Sequence, residues 1–305
     1  PPVAPRIFVT VASMPPPLLF RFARCLIRHR LRGGYRLIEW LERSGRLNVT
    51  ARYALSDRIA VEMPLWRRPN QLAECESLAY EQQLVGAVTK ELTAIGLPAV
   101  LVDCGADVGL VAGLLCAQSP GIEEVVACEP NPEAREILAR NLASWPVATQ
   151  CLPFAIADFN GRGRLAQPAY DNSPHAAFLR PHAEGDILVR RLADLPLDVT
   201  SRCLVLKIDV EGGEQAVLRG ALDVLSRAPA WIVTIEAHRK VFERTGVDPC
   251  EVVRQLVPLG LVRTYIAERP ATPLDISRPY FDQVIDPPVT NILCTSRAPV
   301  DDLRD

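Results

Sequence analysis

The sequence predicts an α/β protein built on a doubly wound, mostly parallel sheet, preceded by a helical N-terminal extension. Three observations predict it. From about residue 99, short apolar runs ending in acids alternate with helical patterns: Ala99 to Asp103, Glu124 to Glu129, Cys203 to Asp209 and Trp231 to Glu236. The first run turns on Gly105 and passes Gly109 into the helical pattern of Leu110 to Leu115, giving strand, glycine turn and helix in that order. Glu129 follows Asp103 by 26 residues, close to the spacing at which a strand-end carboxylate takes ribose hydroxyls in such a unit.

The acids in the first turn set the charge of its ligand. A loop that cradles a pyrophosphate offers bare N–H groups at a helix N-terminus and avoids negative side chains. Here Asp103 and Asp107 flank Gly105, so an anionic group is repelled and a cationic one favoured. S-adenosylmethionine carries a sulfonium and an ammonium, and fits that charge. The alternative function, an NAD-dependent oxidoreductase, matches Glu129 but not Asp103 and Asp107. A second alternative is a non-catalytic binding protein on the same fold.

Composition narrows the class further. The 305 residues carry a net charge of −2, without the basic excess of a nucleic-acid binder, so no nucleic-acid partner is expected. Nine cysteines occur without a Cys-x-x-Cys pair, and Cys104, Cys128 and Cys203 fall in apolar runs as small buried thiols. No metal-ligand spacing appears, so no metal is expected. No run is long enough for a transmembrane segment, no signal-peptide pattern is present, and a cytoplasmic protein is the expectation. A homo-oligomer is compatible with the sequence, which does not set the oligomeric state.

Residues 1–70 form the expected N-terminal extension, and 71–305 the cofactor-binding domain. Within the extension, Leu18 to Arg32 mixes apolar residues and arginines at helical spacing, and Tyr35 to Ser44 is a second short helix. A basic amphipathic segment of this kind either packs on its own protein or lies on an anionic membrane surface. Arg58 to Leu65 alternates as a strand. Leu72 to Ile95 is a long helical pattern stopped by Gly96 and Pro98. After the second core strand, Asn131 is an expected N-cap with Pro132 at the first helical position. Val147 to Ala157 is a third strand, ending at Asp158. Residues 161–191 are expected to be an irregular, substrate-shaping insertion, with Tyr170, Asp171, Asn172, Ser173 and His175 in a polar loop. Residues 268–288 are proline-rich and expected to be a loop or lid.

The fourth core strand, Cys203-Leu204-Val205-Leu206-Lys207-Ile208-Asp209-Val210-Glu211-Gly212-Gly213, carries the second motif. Alternation places Lys207, Asp209 and Glu211 on one side. Charges at the end of an apolar strand are costly unless they pair or face a cleft. The chain holds three lysines against 31 arginines, so Lys207 stands out, with Asp209 or Glu236 as expected partner. The fifth strand ends in Glu236, with His238 two residues on, aimed at the same cleft.

Taken together, Val102 to Gly109, Cys128-Glu129-Pro130-Asn131-Pro132, Leu206 to Glu214 continuing through Val217 to Ala221, and Ile235-Glu236-Ala237-His238 resemble the FkbM family of S-adenosylmethionine-dependent methyltransferases. The resemblance covers roughly residues 99 to 295. It implies a class I methyltransferase sheet, Rossmann-like, of seven strands with the last antiparallel. It also implies O-methylation of a hydroxyl on a small molecule or glycan, such as a sugar or polyketide. By position, Asp103, Gly105, Ala106, Asp107 and Gly109 would wall the methionine part. Glu129 would hold the ribose, Asn131 would close that end, and Asp158 would meet the adenine edge. Asp209 would lie near the methyl group with Glu211. Asp209, Glu211, Glu236 or His238 would take the acceptor proton, Asp209 with His238 being favoured, and Lys207 would support them. The family commonly has asparagine where Asp107 stands. Residues 1–70 lie outside the resemblance.

Overall fold

The computed structural model describes residues 18–29, 31–44, 46, 50–64, 81–169 and 177–297. The first elements are helices α1 (Leu18–Arg28) and α2 (Gly34–Arg43), then an antiparallel hairpin of β1 (Thr50–Ala54) and β2 (Ala60–Pro64). Both helices and the second strand fall where the sequence places them, whereas β1 was not anticipated. Of the long helix expected over Leu72 to Ile95, the described part is α3 (Gln82–Ile95), closed by Gly96 in the left-handed region. Its earlier residues lie outside the described ones.

The core then runs β3 (Ala99–Cys104), α4 (Leu110–Gln118), β4 (Ile122–Cys128), α5 (Pro132–Leu142) and β5 (Ala148–Leu152). Next come β6 (Phe154–Ile156), β7 (Gly161–Ala166), β8 (Phe178–Pro181) and β9 (Ile187–Arg190). The chain returns through β10 (Cys203–Ile208), α6 (Glu214–Arg227), β11 (Ala230–His238), α7 (Arg239–Thr245) and α8 (Pro249–Arg254). It closes with β12 (Arg263–Ile266), β13 (Arg269–Pro273), α9 (Tyr280–Gln283) and β14 (Val289–Thr295).

The main sheet has the order β13-β12-β14-β11-β10-β3-β4-β5. The strands from β5 to β11 are parallel, and β14 runs antiparallel between β11 and β12. The seven strands from β5 to β12, with the last in sequence antiparallel, are those expected. An eighth, β13, pairs with β12 at the edge.

Three expectations need correction. Val147 to Ala157 is not one strand: it breaks at Pro153, so that β5 stays in the main sheet while β6 opens a second sheet of order β6-β9-β7-β8. The insertion expected to be irregular therefore contains ordered strands, whose short alternating runs were hidden by arginine, glycine and proline. Its polar loop, residues 170–176 with His175, lies outside the described residues. The proline-rich stretch 268–288 likewise holds β13 and α9 rather than loop alone.

Central strands β3 and β10 are buried at every position, as expected for parallel strands covered on both faces. One face carries Leu101, Val125 and Val205 against α3, α4 and α5, and the other carries Val102, Leu206 and Val233 against α6 and α8. The β1–β2 hairpin packs into the first layer: Val61 and Leu55 meet α4 at Gly113, where a Cβ would come within 2.8 Å of Leu55 Cδ1. Asn141 on α5 pins the hairpin to the first glycine turn. Its Nδ2 donates to Glu62 O (3.0 Å) and Val108 O (2.7 Å), and its Oδ1 accepts from Glu62 N (2.7 Å). Cys104, Cys128 and Cys203 are buried free thiols, as read from the sequence.

Replacing Asn141 with leucine strands buried backbone groups of both β2 and the turn. Urea unfolding of Asn141→Leu should show a loss of about 2 kcal/mol, and an unchanged midpoint would mean that these bonds do not hold the hairpin.

Candidate active site

All parallel strands of the main sheet end on one edge, and their following loops make the site. The first loop is bent by three left-handed residues: Gly105 at φ 78°, Asp107 at φ 49° and Gly109 at φ 85°. Gly105 N and Ala106 N both donate to Cys128 O, at 3.1 and 3.2 Å, which ties the turn to the end of β4. A Cβ on Gly105 would lie 1.9 Å from Asp209 O, so only glycine lets the two loops touch. Aspartate and asparagine are the side chains that best tolerate the left-handed region, which suits Asp107 to this turn.

Glu129, buried just beyond β4, is held by its neighbours' amides. Its Oε2 accepts from Asp107 N and its Oε1 from Asn131 N, each at 2.8 Å. These bonds fix the carboxylate in one orientation. Asn131 is the N-cap of α5 as expected, its Oδ1 accepting from Glu133 N at 3.0 Å. Asp158 lies beyond the break at Pro153, next to the second sheet, with Oδ2 3.8 Å from Arg219 Nη1 of α6.

Lys207 stands directly across from Asp103 on the neighbouring strand. Its Nζ lies 3.1 Å from Asp103 Oδ1 and 3.2 Å from Asp209 Oδ2, and donates toward Gly105 O at 3.5 Å. The sequence pointed to Asp209 or Glu236 as its partner. The structure provides Asp209, and adds Asp103. Burial pushes Lys207 downward, but the two carboxylates outweigh burial and keep it above its usual range, hence charged. Burial raises the Asp103 carboxyl, and the attraction of Lys207 opposes that rise without cancelling it.

The motif after β10 leaves the strand at Ile208, so Glu211 is not on the alternating face read from the sequence. It sits in a turn at φ 56°, followed by Gly212 at φ 107°. Arg244 of α7 donates to Glu211 O and stacks 3.8 Å over Phe178 of β8, joining this turn to the second sheet. Asp209, Glu211 and Glu236 carry carboxylate oxygens all within 4.8 Å of one another, a spacing that can hold a cation and that their separation in sequence conceals. His238 Nδ1 lies 3.9 Å from Glu211 Oε2, so the histidine faces Glu211 rather than the expected Asp209. Burial first, then the charges of Asp209, Glu211, Glu214 and Glu81, raise the Glu236 carboxyl well above the carboxylate range.

The fold adds acids that no motif indicated. Glu81, at the N-terminus of α3, is pushed up to about 7 by burial and by Asp209 and Glu268. Asn291 of β14 bridges the two, its Nδ2 donating to Glu81 Oε2 at 2.8 Å and Glu268 Oε1 at 3.1 Å. Glu81 and Asn291 are 210 residues apart, beyond the reach of any local pattern.

A sequence profile of the methyltransferase FkbM domain matches residues 103–261, just over half of the chain. The chain belongs to the FkbM methyltransferase domain family. Its cofactor is S-adenosylmethionine. The donor set agrees: the loops offer carboxylates to a sulfonium and an ammonium, not the bare amides a pyrophosphate needs. No curated protein matches the chain. Among solved structures, TYW2 of M. jannaschii in complex with AdoMet is 13% identical, over 81% of this chain and 84% of that one, with a TM-score of 0.39. Geranyl diphosphate methyltransferase in complex with GPP and sinefungin is 11% identical over 74% and 80%, at 0.40. Precorrin-6y C5,15-methyltransferase from Geobacter metallireducens GS-15 is 14% identical over 70% and 87%, at 0.34. Likenesses this distant do not indicate the acceptor.

Removing Lys207 leaves Asp103 buried without its counter-charge. Lys207→Met should lower the unfolding free energy by about 3 kcal/mol and weaken binding of S-adenosylhomocysteine, with Lys207→Arg recovering part of both. A methionine variant as stable as the parent would show that the pair is dispensable.

Proposed function

We propose that this member of the family is an O-methyltransferase acting on a hydroxyl of a small molecule or glycan. The observation that carries it is the grouping of Asp209, Glu211 and Glu236, with His238, where the ends of β10 and β11 meet beside the first glycine turn. Bound S-adenosylmethionine supplies a methyl on a sulfonium, open to in-line displacement. The chain's residues then have four tasks. Glu129, a carboxylate able to accept from two vicinal hydroxyls, holds the ribose, while Asn131 closes that end and Asp158 meets the adenine edge. Asp103, Gly105, Ala106, Asp107 and Gly109 wall the methionine part, and Lys207 holds Asp103 and Asp209 in place. Asp209 faces the methyl group. The remaining acids orient the acceptor oxygen and take its proton as the new carbon–oxygen bond forms, so the proton ends on a carboxylate.

Among those acids we assign the proton to Glu236. Asp209 is engaged by Lys207 and Glu211 faces His238, whereas Glu236 has a raised affinity for a proton. Glu211 and His238 then serve as the pair that positions the acceptor. The net charge of −2 argues against a nucleic-acid acceptor.

The acceptor class is tested by incubating the protein with S-adenosylmethionine and a panel of sugars, polyketide alcohols and matched amines, and following products by mass spectrometry. Methyl ethers support the proposal, and N-methyl products alone contradict it. A base must be ionised, so turnover should rise with pH through a group above the usual carboxylate range of about 4.3. Glu236→Gln should lower kcat by about a hundredfold, remove that rising limb and leave S-adenosylhomocysteine affinity within about twofold. An unchanged pH profile in the variant would assign the proton elsewhere.

A further inference from the structure

Among the described residues, helices α1 and α2 carry an exposed apolar surface. They pack on each other and on the body through Phe20, Ala23, Ile38 and Leu41, all at 1% exposure or less. That contact uses one face of each helix. On the rest, Leu18 is 79% exposed, Phe22 56%, Leu31 57%, Trp40 48% and Leu19 44%. Five large apolar side chains on a two-helix hairpin exceed the scattered single exposures of an ordinary surface. In helical projection Leu18, Leu19 and Phe22 fall within about 100° of one another, and the centre of that arc is about 120° from that of Phe20 and Ala23. The exposed stripe of α1 adjoins the buried one at Leu19 and turns away from the core at Leu18 and Phe22.

The charge around this surface is strongly one-sided. Residues 18–46 contain eight arginines and two glutamates, a net of +6, while the whole chain is at −2. Arg21, Arg32, Arg36 and Arg43 are exposed. Arg46 lies over the exposed Trp40 ring at 4.7 Å. Tryptophan beside arginine, next to leucine and phenylalanine, is the composition of a helix lying in a membrane interface: the apolar side chains enter the acyl boundary, the indole sits at headgroup depth and the guanidiniums meet phosphates.

We propose that the α1–α2 hairpin is a peripheral docking surface for an anionic phospholipid membrane. It attaches the protein to the bilayer face without crossing it, since among the described residues no helix is long and apolar enough to span. The +6 charge selects the occupant. A second copy of this hairpin would bring two cationic faces together, whereas an anionic lipid surface is attracted by each arginine.

The full chain is sedimented with vesicles of one part phosphatidylglycerol to two parts phosphatidylcholine, and with vesicles of phosphatidylcholine alone. Binding to the anionic vesicles that falls steeply with added salt, and is much weaker on neutral ones, is expected. Leu19→Glu with Phe22→Glu should reduce partitioning about tenfold or more, and Arg36→Glu with Arg43→Glu should reduce it similarly. Circular dichroism melting of each double variant shows that it folds. The idea is overturned if the parent ignores anionic vesicles, or if folded Leu19→Glu, Phe22→Glu protein binds them as well as the parent does. It is also overturned if sedimentation velocity finds a dimer that the same pair of changes disperses while vesicles bind neither form. No part of this test depends on methyl transfer.

Discussion

Lys207 holds the site together. Its ammonium is the positive charge between Asp103, at the end of β3, and Asp209, just past the end of β10. A carboxylate as buried as Asp103 is tolerable only with a partner, and the partner comes from the adjacent strand in direct register. Once that pair is formed the two loops are close enough for Gly105 to touch the Asp209 carbonyl, and Asp209 N donates to Cys104 O at 3.1 Å. The glycine turn then has one conformation, its amides engaged by Cys128 O, and Glu129 is oriented by the amides of Asp107 and Asn131. Cofactor wall and acceptor side are thus set by one buried network.

Around that network the protein concentrates negative charge. Asp209, Glu211 and Glu236 stand within 4.8 Å, with Glu81 and Glu268 bridged through Asn291 behind them. Burial first, and then the repulsion of the neighbouring carboxylates, raise Glu236 well above the carboxylate range and Glu81 to about 7. A cationic cofactor relieves part of that repulsion, and a carboxyl with raised proton affinity is suited to accept a proton near neutrality. The second sheet reaches this region through Arg244, which stacks on Phe178 and holds the Glu211 carbonyl.

The central strands β3, β10 and β11 were legible because each is a short apolar run, and burial on both faces leaves little room for polar residues. The first loop was legible because left-handed conformations demand glycine, or an aspartate such as Asp107. The insertion was not: β7 is Gly-Arg-Gly-Arg-Leu-Ala, where exposed arginines between glycines conceal its alternation. The turn at Glu211 was misplaced because alternation was extended past Ile208, where the backbone leaves the strand. Asp103 as a partner of Lys207 depends on register between strands 104 residues apart, and Glu81 on a contact with β14. Long-range pairing of this kind leaves no local trace in the chain.

The most direct measurement is calorimetric titration with S-adenosylhomocysteine, with NAD as control, on the parent and on Glu129→Ala. The account predicts micromolar binding of S-adenosylhomocysteine by the parent, on the order of −8 kcal/mol, none of NAD, and loss of binding by about a hundredfold in the variant. Binding of NAD in preference, or full affinity without the Glu129 carboxylate, would contradict it.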